Sequence, residues 1–372
     1  MSQHVLSDPA HRGRRTPAPR TAAPRTALAL AAAALLAGLA ACAPASAGTT
    51  TDESGATVLR YQGSVGQVGY PELAEDLGYF EDVTLEWIGD VTGGPASIQA
   101  TATGETDFGG AFNGAIVKLR SSGARITSVI GYYGSDDKTY GGYYVPEDSP
   151  IQGAHDLLGK KIGINTLGAQ SEFVIREWLT REGLTKDEIA QVELTVVPPI
   201  NAEQVLREGQ VDVSALSFVQ KDVAEARGGL RSLFSEKDLF GEFTYGSLVF
   251  RDEFVEENPE AVADFVQGVA RAIRWAQVSP VEEVRERYTR IITERGRDET
   301  TDLIPVWKST GIAGPGGVIA EEEISTWVDW LVREGELEEG QVALDDLYTN
   351  EFNPYDNGTY EPGSGPDGES LS

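Results

Sequence analysis

From residue 57 to residue 250, short apolar, β-branched runs alternate with segments whose apolar residues recur at helical spacing. Few folds suit that pattern, because each helix must bury one stripe and each sheet needs a cover; the class is α/β. Strands are predicted at 58–62, 83–88, 107–109, 126–130, 161–165, 192–197, 211–216 and 245–250. Helices are predicted at 72–79, 93–103, 113–121, 171–182 and 202–208, with a short amphipathic helix at 153–159. Beyond residue 252 the pattern turns helical, at 259–277, 281–295 and 321–334. A length of 372 residues exceeds one small core, so one large or two medium domains are expected.

The first 41 residues are of another kind. Five arginines (Arg12, Arg14, Arg15, Arg20, Arg25) face a single acid, Asp8, and an apolar stretch of fifteen residues follows at 27–41. A bilayer span needs about 20 residues. A basic region, a short apolar region and small residues instead make a secretory signal. The ending Leu39-Ala40-Ala41-Cys42 resembles a bacterial lipobox, in which the cysteine is acylated and becomes the mature N-terminus. Cys42 is the only cysteine in the chain. Residues 1–41 are therefore expected to be a lipoprotein signal peptide and 42–56 a flexible tether. Gly, Pro, Ser and acid fill residues 356–372, so a disordered acidic tail is expected there.

The scarce residues exclude more than the common ones admit. After processing, His155 is the only imidazole and no free thiol remains. A Cys/His zinc site, a multi-histidine metal site and a cysteine nucleophile are thereby excluded, so no metal or cofactor is expected. A Ser-His-Asp triad would depend on His155, which the pattern places on a surface helix. There is no phosphate-binding Gly-Lys-Ser/Thr loop and no Gly-x-Gly-x-x-Gly after a strand. Carboxylate-pair hydrolysis is the only enzymatic chemistry left open. Without the leader, 25 basic residues face 58 acidic ones, a net charge of −33. That balance excludes nucleic acid as a partner and adsorption to anionic lipid heads. Membrane association falls to the acyl chains, which contribute about 0.8 kcal/mol per buried methylene.

Several stretches carry a family likeness: LRYQGSVGQVGYPELAEDLGYF from Leu59, VTLEWIGDVTGGPASIQATATGETDFG from Val83, and LREGQVDVSAL from Leu206. The most specific is VPEDSPIQGAHDLLGKKIGINTLGAQSEFVIREWLTREGL from Val145. The chain resembles the nitrate/sulfonate/taurine branch of substrate-binding proteins that serve ABC importers. The resemblance implies a two-lobed, periplasmic-binding-protein-like type II fold with a ligand cleft between mixed α/β lobes. Residues 57–140 and 246–355 would form the first lobe, its helical C-terminal part included, and 141–245 the second. The crossings would be at 140–145 and 245–250. It also implies a monomeric, non-enzymatic receptor, lipid-anchored on the extracellular face of the cell membrane. Its partners would be a small-molecule ligand and an ABC permease with a cytoplasmic ATPase.

In open α/β sheets ligands lie off the carboxyl ends of strands, where helix N-termini present N–H groups. Those places supply Ser64 and Gln67 after the first strand, Gly93 and Gly94 after the second, and Phe112 and Asn113 after the third. The second lobe supplies Gly168, Gln170 and Ser171, then Ser217 and Phe218. Tyr133 comes from the tyrosine-rich segment that also holds Tyr132, Tyr140, Tyr143 and Tyr144, a candidate stacking wall. Ser217-Phe218-Val219 stands where the sulfonate-type pattern often has a Trp-Asp-Pro-like run. A sulfonate-, taurine- or nitrate-like anion is the favoured ligand, with a pyrimidine, thiamine-precursor or other heteroaromatic compound as the alternative. An extracellular carboxylate-pair hydrolase is the more distant one.

Overall fold

The computed structural model describes residues 50–371. The signal peptide expected at 1–41, the lipidation expected at Cys42 and residues 43–49 of the expected tether lie outside the described residues. The first elements are β1 (Thr50–Thr51), β2 (Thr57–Gly63), α1 (Tyr70–Leu77), β3 (Val83–Asp90), α2 (Gly94–Thr103), β4 (Phe108–Phe112), α3 (Asn113–Ser121) and β5 (Ile126–Ser135). Then come β6 (Gly142–Pro146), β7 (Lys161–Ile164), α4 (Gln170–Arg181), α5 (Lys186–Ile189), β8 (Glu193–Val196), α6 (Ala202–Arg207), β9 (Val213–Leu216), α7 (Phe218–Arg227) and β10 (Leu230–Ser235). The chain continues through α8 (Glu236–Phe240), β11 (Phe243–Arg251), α9 (Asp252–Glu257), α10 (Pro259–Val278), α11 (Val281–Glu294) and α12 (Glu322–Glu334).

Three sheets result, in the orders β1-β2-β3, β4-β11-β5 and β10-β6-β9-β7-β8, the first and third mixed and the second antiparallel. The first two meet where Asp107 N–H donates to the Arg60 carbonyl and Arg60 N–H to the Asp107 carboxylate. Strand β11 lies between β4 and β5, antiparallel to both. Its alternation assigns its side chains to two cores: Leu248 and Phe250 join the core covered by α10, and Phe243, Tyr245 and Val249 that of α12. Helix α10 buries Val262, Phe265, Val266, Val269 and Ile273, one face at helical spacing. Each such side chain contributes about 1.5–3 kcal/mol on burial, which is why the C-terminal helices dock on the first two sheets. In the third sheet β6 divides likewise, Tyr143 and Val145 to one side and Tyr144 to the other.

Three expectations need correction. Residues 245–250 are not a crossing: they run along the middle of β11, where every residue is buried. The chain passes from the second sheet to the third between β5 and β6, and returns through α8 to β11. The tail is not disordered up to residue 371. Arg274 donates to the Ser364 carbonyl, Arg271 pairs with Asp367, and Tyr355 OH donates to the Gly365 carbonyl at 2.9 Å. Arginines of α10 thus compensate the segment's missing apolar surface. The segment at 153–159 holds only a 3₁₀ turn, Ala154–Leu157. Sequence patterning also missed α7 and β10. The glycine pair 228–229 and the irregular Leu-Arg-Ser-Leu-Phe-Ser run hide the period of both.

Candidate functional site

One cavity of about 360 Å³ lies between the third sheet and the first two. Nine of the twelve sequence-predicted site residues line it: Ser64, Gly93, Gly94, Phe112, Tyr133, Gln170, Ser171, Ser217 and Phe218. Three do not. Asn113 is fully buried in the core, donating to the Glu323 carbonyl at 3.0 Å and accepting from Ser247 Oγ at 2.8 Å. A site role for it is corrected to a packing role. Gln67 turns its carbonyl to Arg295. Gly168, at φ +71°, donates its N–H to Glu172 and shapes the loop before α4.

Three helices begin at the cavity, α2 after Gly93, α4 after Ala169 and α7 after Ser217, and no side chain caps any of them. Pro95 has no N–H, and those of Glu172 and Gln220 donate to the Ala169 and Ser217 carbonyls. The groups left for a guest are therefore those at the very start of each helix, at Gly94, Gln170 and Phe218. Gly93 stands at φ +154°, and a Cβ on Gly94 would come within 3.1 Å of Ala111. Both places need glycine, one for conformation and one for close approach.

The aromatic wall rests on glycines as well. Tyr132 and Tyr133 meet edge to face, with ring centroids 4.9 Å apart. A Cβ on Gly110 would come within 2.8 Å of the Tyr132 ring, and one on Gly246 would clash with the edge of the Tyr133 ring. From the opposite side Phe218 reaches Tyr133, ring centroids 6.5 Å apart. Phe218 holds φ +38°, a strained value for a residue with a side chain.

The residue that sequence reading missed is Glu236. It is buried, lines the cavity and opens α8 on the return crossing. Gln170 Nε2 donates to one carboxylate oxygen at 2.8 Å and Gly141 N–H to the other at 3.1 Å. Gly141 lies on the outgoing crossing, so this one carboxylate joins both. Burial pushes its pKa up to about 7, against the lowering effect of the two hydrogen bonds. Among the described residues no Arg, Lys or His lines the cavity, and Glu236 is its only carboxylate. The amide of Gln170, held through its nitrogen, keeps its oxygen as an acceptor. Nothing in the sequence marks Glu236 as special among its 59 acids; only the end of β10, itself missed, would have located it.

A second hollow, of about 430 Å³ and open to solvent, is bordered by Glu203, Arg207 and Arg227. Glu203 pairs with both arginines, so their charges are already answered. Among the described residues no group of His, Cys, Asp and Glu is arranged to hold a metal ion, and no helix is long and apolar enough to cross a membrane.

Comparisons with known proteins agree with this architecture. A Brucella abortus protein named as a binding protein is 26% identical over 215 residues, covering 57% of this chain and 64% of its own length. A Bacillus subtilis protein named as an aliphatic sulfonates-binding protein is 23% identical over 227 residues, 59% of this chain and 65% of that one. The chain thus matches somewhat under two thirds of each relative's length. Among solved structures, the periplasmic aliphatic sulphonate binding protein SsuA from Escherichia coli superposes with a TM-score of 0.60 at 20% identity, covering 78% of this chain and 91% of that one. The desulfurization enzyme DSZB shares the fold at a TM-score of 0.55 and 18% identity, covering 79% and 97%. The family model described as NMT1/THI5 like matches residues 72–283, more than half of the chain, and the protein belongs to that family.

Proposed function

We propose that the protein is the substrate-binding component of an ABC importer. In this reading it is a lipoprotein held through Cys42 on the extracellular face of the membrane. It captures a small amino-bearing organic solute between two hinged lobes and passes it to a permease driven by a cytoplasmic ATPase. The lobes are the third sheet with its helices, and the first two sheets with the C-terminal helices. The crossings at 136–141 and 236–242 act as the hinge.

The observation that carries the reading is the meeting, in one interlobe cavity, of uncapped helix N-termini with Glu236. Each terminus offers an anionic group about 0.3–1 kcal/mol, up to about 2 when partly buried. Glu236 and the Gln170 oxygen demand the opposite, a cation or N–H donors. An aminosulfonate such as taurine satisfies both ends at once, with its sulfonate toward Gly93 and Gly94 and its ammonium on Glu236. A plain alkanesulfonate or nitrate leaves Glu236 unanswered. The aromatic wall of Tyr132 and Tyr133, with Phe218 opposite, supports a second reading, an amino-substituted pyrimidine stacked on a ring while its amino group meets Glu236. Hydrolysis by paired carboxylates has little support in a cavity lined by one.

Calorimetry and thermal shift with taurine, ethanesulfonate, nitrate and 4-aminopyrimidine test the proposal on the chain from residue 43 onward. A ligand at 100 times its Kd raises stability by about 2.7 kcal/mol. Taurine or 4-aminopyrimidine is expected to bind, ethanesulfonate and nitrate at least tenfold more weakly. Ethanesulfonate binding as tightly as taurine would remove the role of Glu236. Chemical turnover of a bound compound would refute the receptor reading.

A further inference from the structure

Behind the turn at 64–67 lies a cluster of buried charges that the cavity itself does not use. Glu72, in the first turn of α1, accepts from Tyr61 OH at 2.6 Å and from Arg297 at 2.8 Å through one oxygen. Its other oxygen accepts from Arg295 and from Gly69 N–H, both at 2.9 Å. Arg295 pairs in addition with Glu299, whose side chain is only 2% exposed. Two guanidiniums and two carboxylates balance in charge.

Such a buried network is a poor source of net stability, because desolvation offsets most of the attraction. Its geometry assigns it another task. Arg295 donates to the Gln67 carbonyl at 2.9 Å, and Glu299 accepts from Gly66 N–H at 2.6 Å. Within the turn the only backbone hydrogen bond is a long one, Gln67 N–H to the Ser64 carbonyl at 3.3 Å. Gly66 holds φ +69°, and Val65 at the tip is 57% exposed, so no apolar anchor fixes the turn. Its grip comes from outside, from residues 228 and 233 positions further along the chain. The turn begins at Ser64, which lines the cavity.

We propose that Arg295 and Glu299 are positioning residues for solute capture: they hold the 64–67 turn so that Ser64 stands at the cavity wall. Both lie beyond the residues matched by the family model, so this clamp belongs to the C-terminal part of the chain. The proposal rests on the cavity being the solute site. It predicts which distant residues set the affinity of that site.

Hydrogen exchange read by mass spectrometry, with taurine calorimetry on the same samples, tests it in Arg295→Lys and Glu299→Gln. Lysine keeps the charge but lacks the fork that reaches Glu72, Gln67 and Glu299 together. In both variants the amides of residues 63–69 are expected to exchange about tenfold faster, with α10 unchanged and the taurine Kd raised about tenfold. Unchanged exchange at 63–69 would overturn the clamp. So would equal acceleration in α10, which marks general loosening, or a loosened turn with an unaltered taurine Kd. If taurine fails to bind the unaltered protein, the aminosulfonate reading falls, and unchanged or faster exchange at 63–69 still decides whether the pair holds the turn.

Discussion

The two walls of the cavity are built on different principles. The wall from the second sheet is aromatic and rests on absences: Tyr132 and Tyr133 occupy space left because Gly110 and Gly246 have no Cβ. The facing wall is polar and rests on a presence, Glu236 hydrogen-bonded to Gln170 and Gly141. In the proposed reading the first wall accepts a flat or apolar group, whereas the second discriminates by charge. In this pair, shape comes from glycines of β4 and β11 and, in the proposed reading, the choice of guest from the crossings. The Glu236–Gly141 hydrogen bond also joins those crossings, so a guest that engages the carboxylate acts where the two sheet groups are connected.

The largest expected effect comes from breaking the first wall. Gly246→Ala drives a methyl group against the edge of the Tyr133 ring and to 2.6 Å from the Ala111 carbonyl oxygen, in the middle of a sheet. Overpacking of a tight core costs about 1–3 kcal/mol, and here neither the ring nor the strand backbone can yield freely. Denaturant unfolding should show a loss of about 3 kcal/mol, and removing the ring as well, in Gly246→Ala/Tyr133→Ala, should recover part of it. No recovery would mean that the backbone contact, not the aromatic seat, needs glycine.

The second effect breaks the polar wall. Glu236→Gln keeps the shape and removes the charge, at the cost of one of the two accepting oxygens that face Gln170 and Gly141. Hydrogen bonds to charged groups contribute about 1.5–3 kcal/mol, so the taurine Kd measured by calorimetry should rise between about tenfold and a hundredfold. The same variant has a pH signature. Glu236 titrates at about 7 in the folded protein, above its ordinary value of 4.5. Between those values the folded state holds a proton that the unfolded state has lost. This contribution to stability is complete below pH 4.5 and is lost as pH rises through 7. In the proposed reading taurine engages the ionised carboxylate, so its affinity should rise over the same interval and level off above it. Glu236→Gln should flatten both curves; a variant that keeps the pH dependence of binding would assign it to another group.

The contrast between the walls also explains what could be read from the residues alone. The helix mouths at Gly93, Gln170 and Ser217 were legible because strand–loop–helix order is a local pattern, and a site at strand ends follows from it. Ser64, Phe112 and Phe218 came with them. Asn113 was misread because it stands at such a mouth in sequence while its side chain turns inward to Glu323 and Ser247. That choice is made by packing between elements more than 130 residues apart. Glu236 was invisible for the same reason: an acid after an irregular strand looks like any solvated charge until the crossings fold over it. Of the seats under the tyrosines, Gly246 fell inside the strand predicted at 245–250, whereas Gly110 lay just past the one predicted at 107–109. What they accommodate depends on register with a neighbouring strand.

The smallest effect sharpens the polar wall without removing it. Gln170→Ala takes away one hydrogen bond to Glu236 and one free acceptor at the cavity, and leaves Gly141 in place. Losing a bond that stabilises the ionised carboxylate moves the Glu236 pKa further up, so at neutral pH less of the site is charged. The taurine Kd should therefore rise about fivefold to tenfold near pH 7. The loss should shrink at pH 9, where Glu236 is ionised with or without its partner. A loss that is the same at both pH values would mean that Gln170 touches the solute directly and does not act through the carboxylate. The ratio of the two losses thus measures how far the helix mouth and the buried acid work as one acceptor.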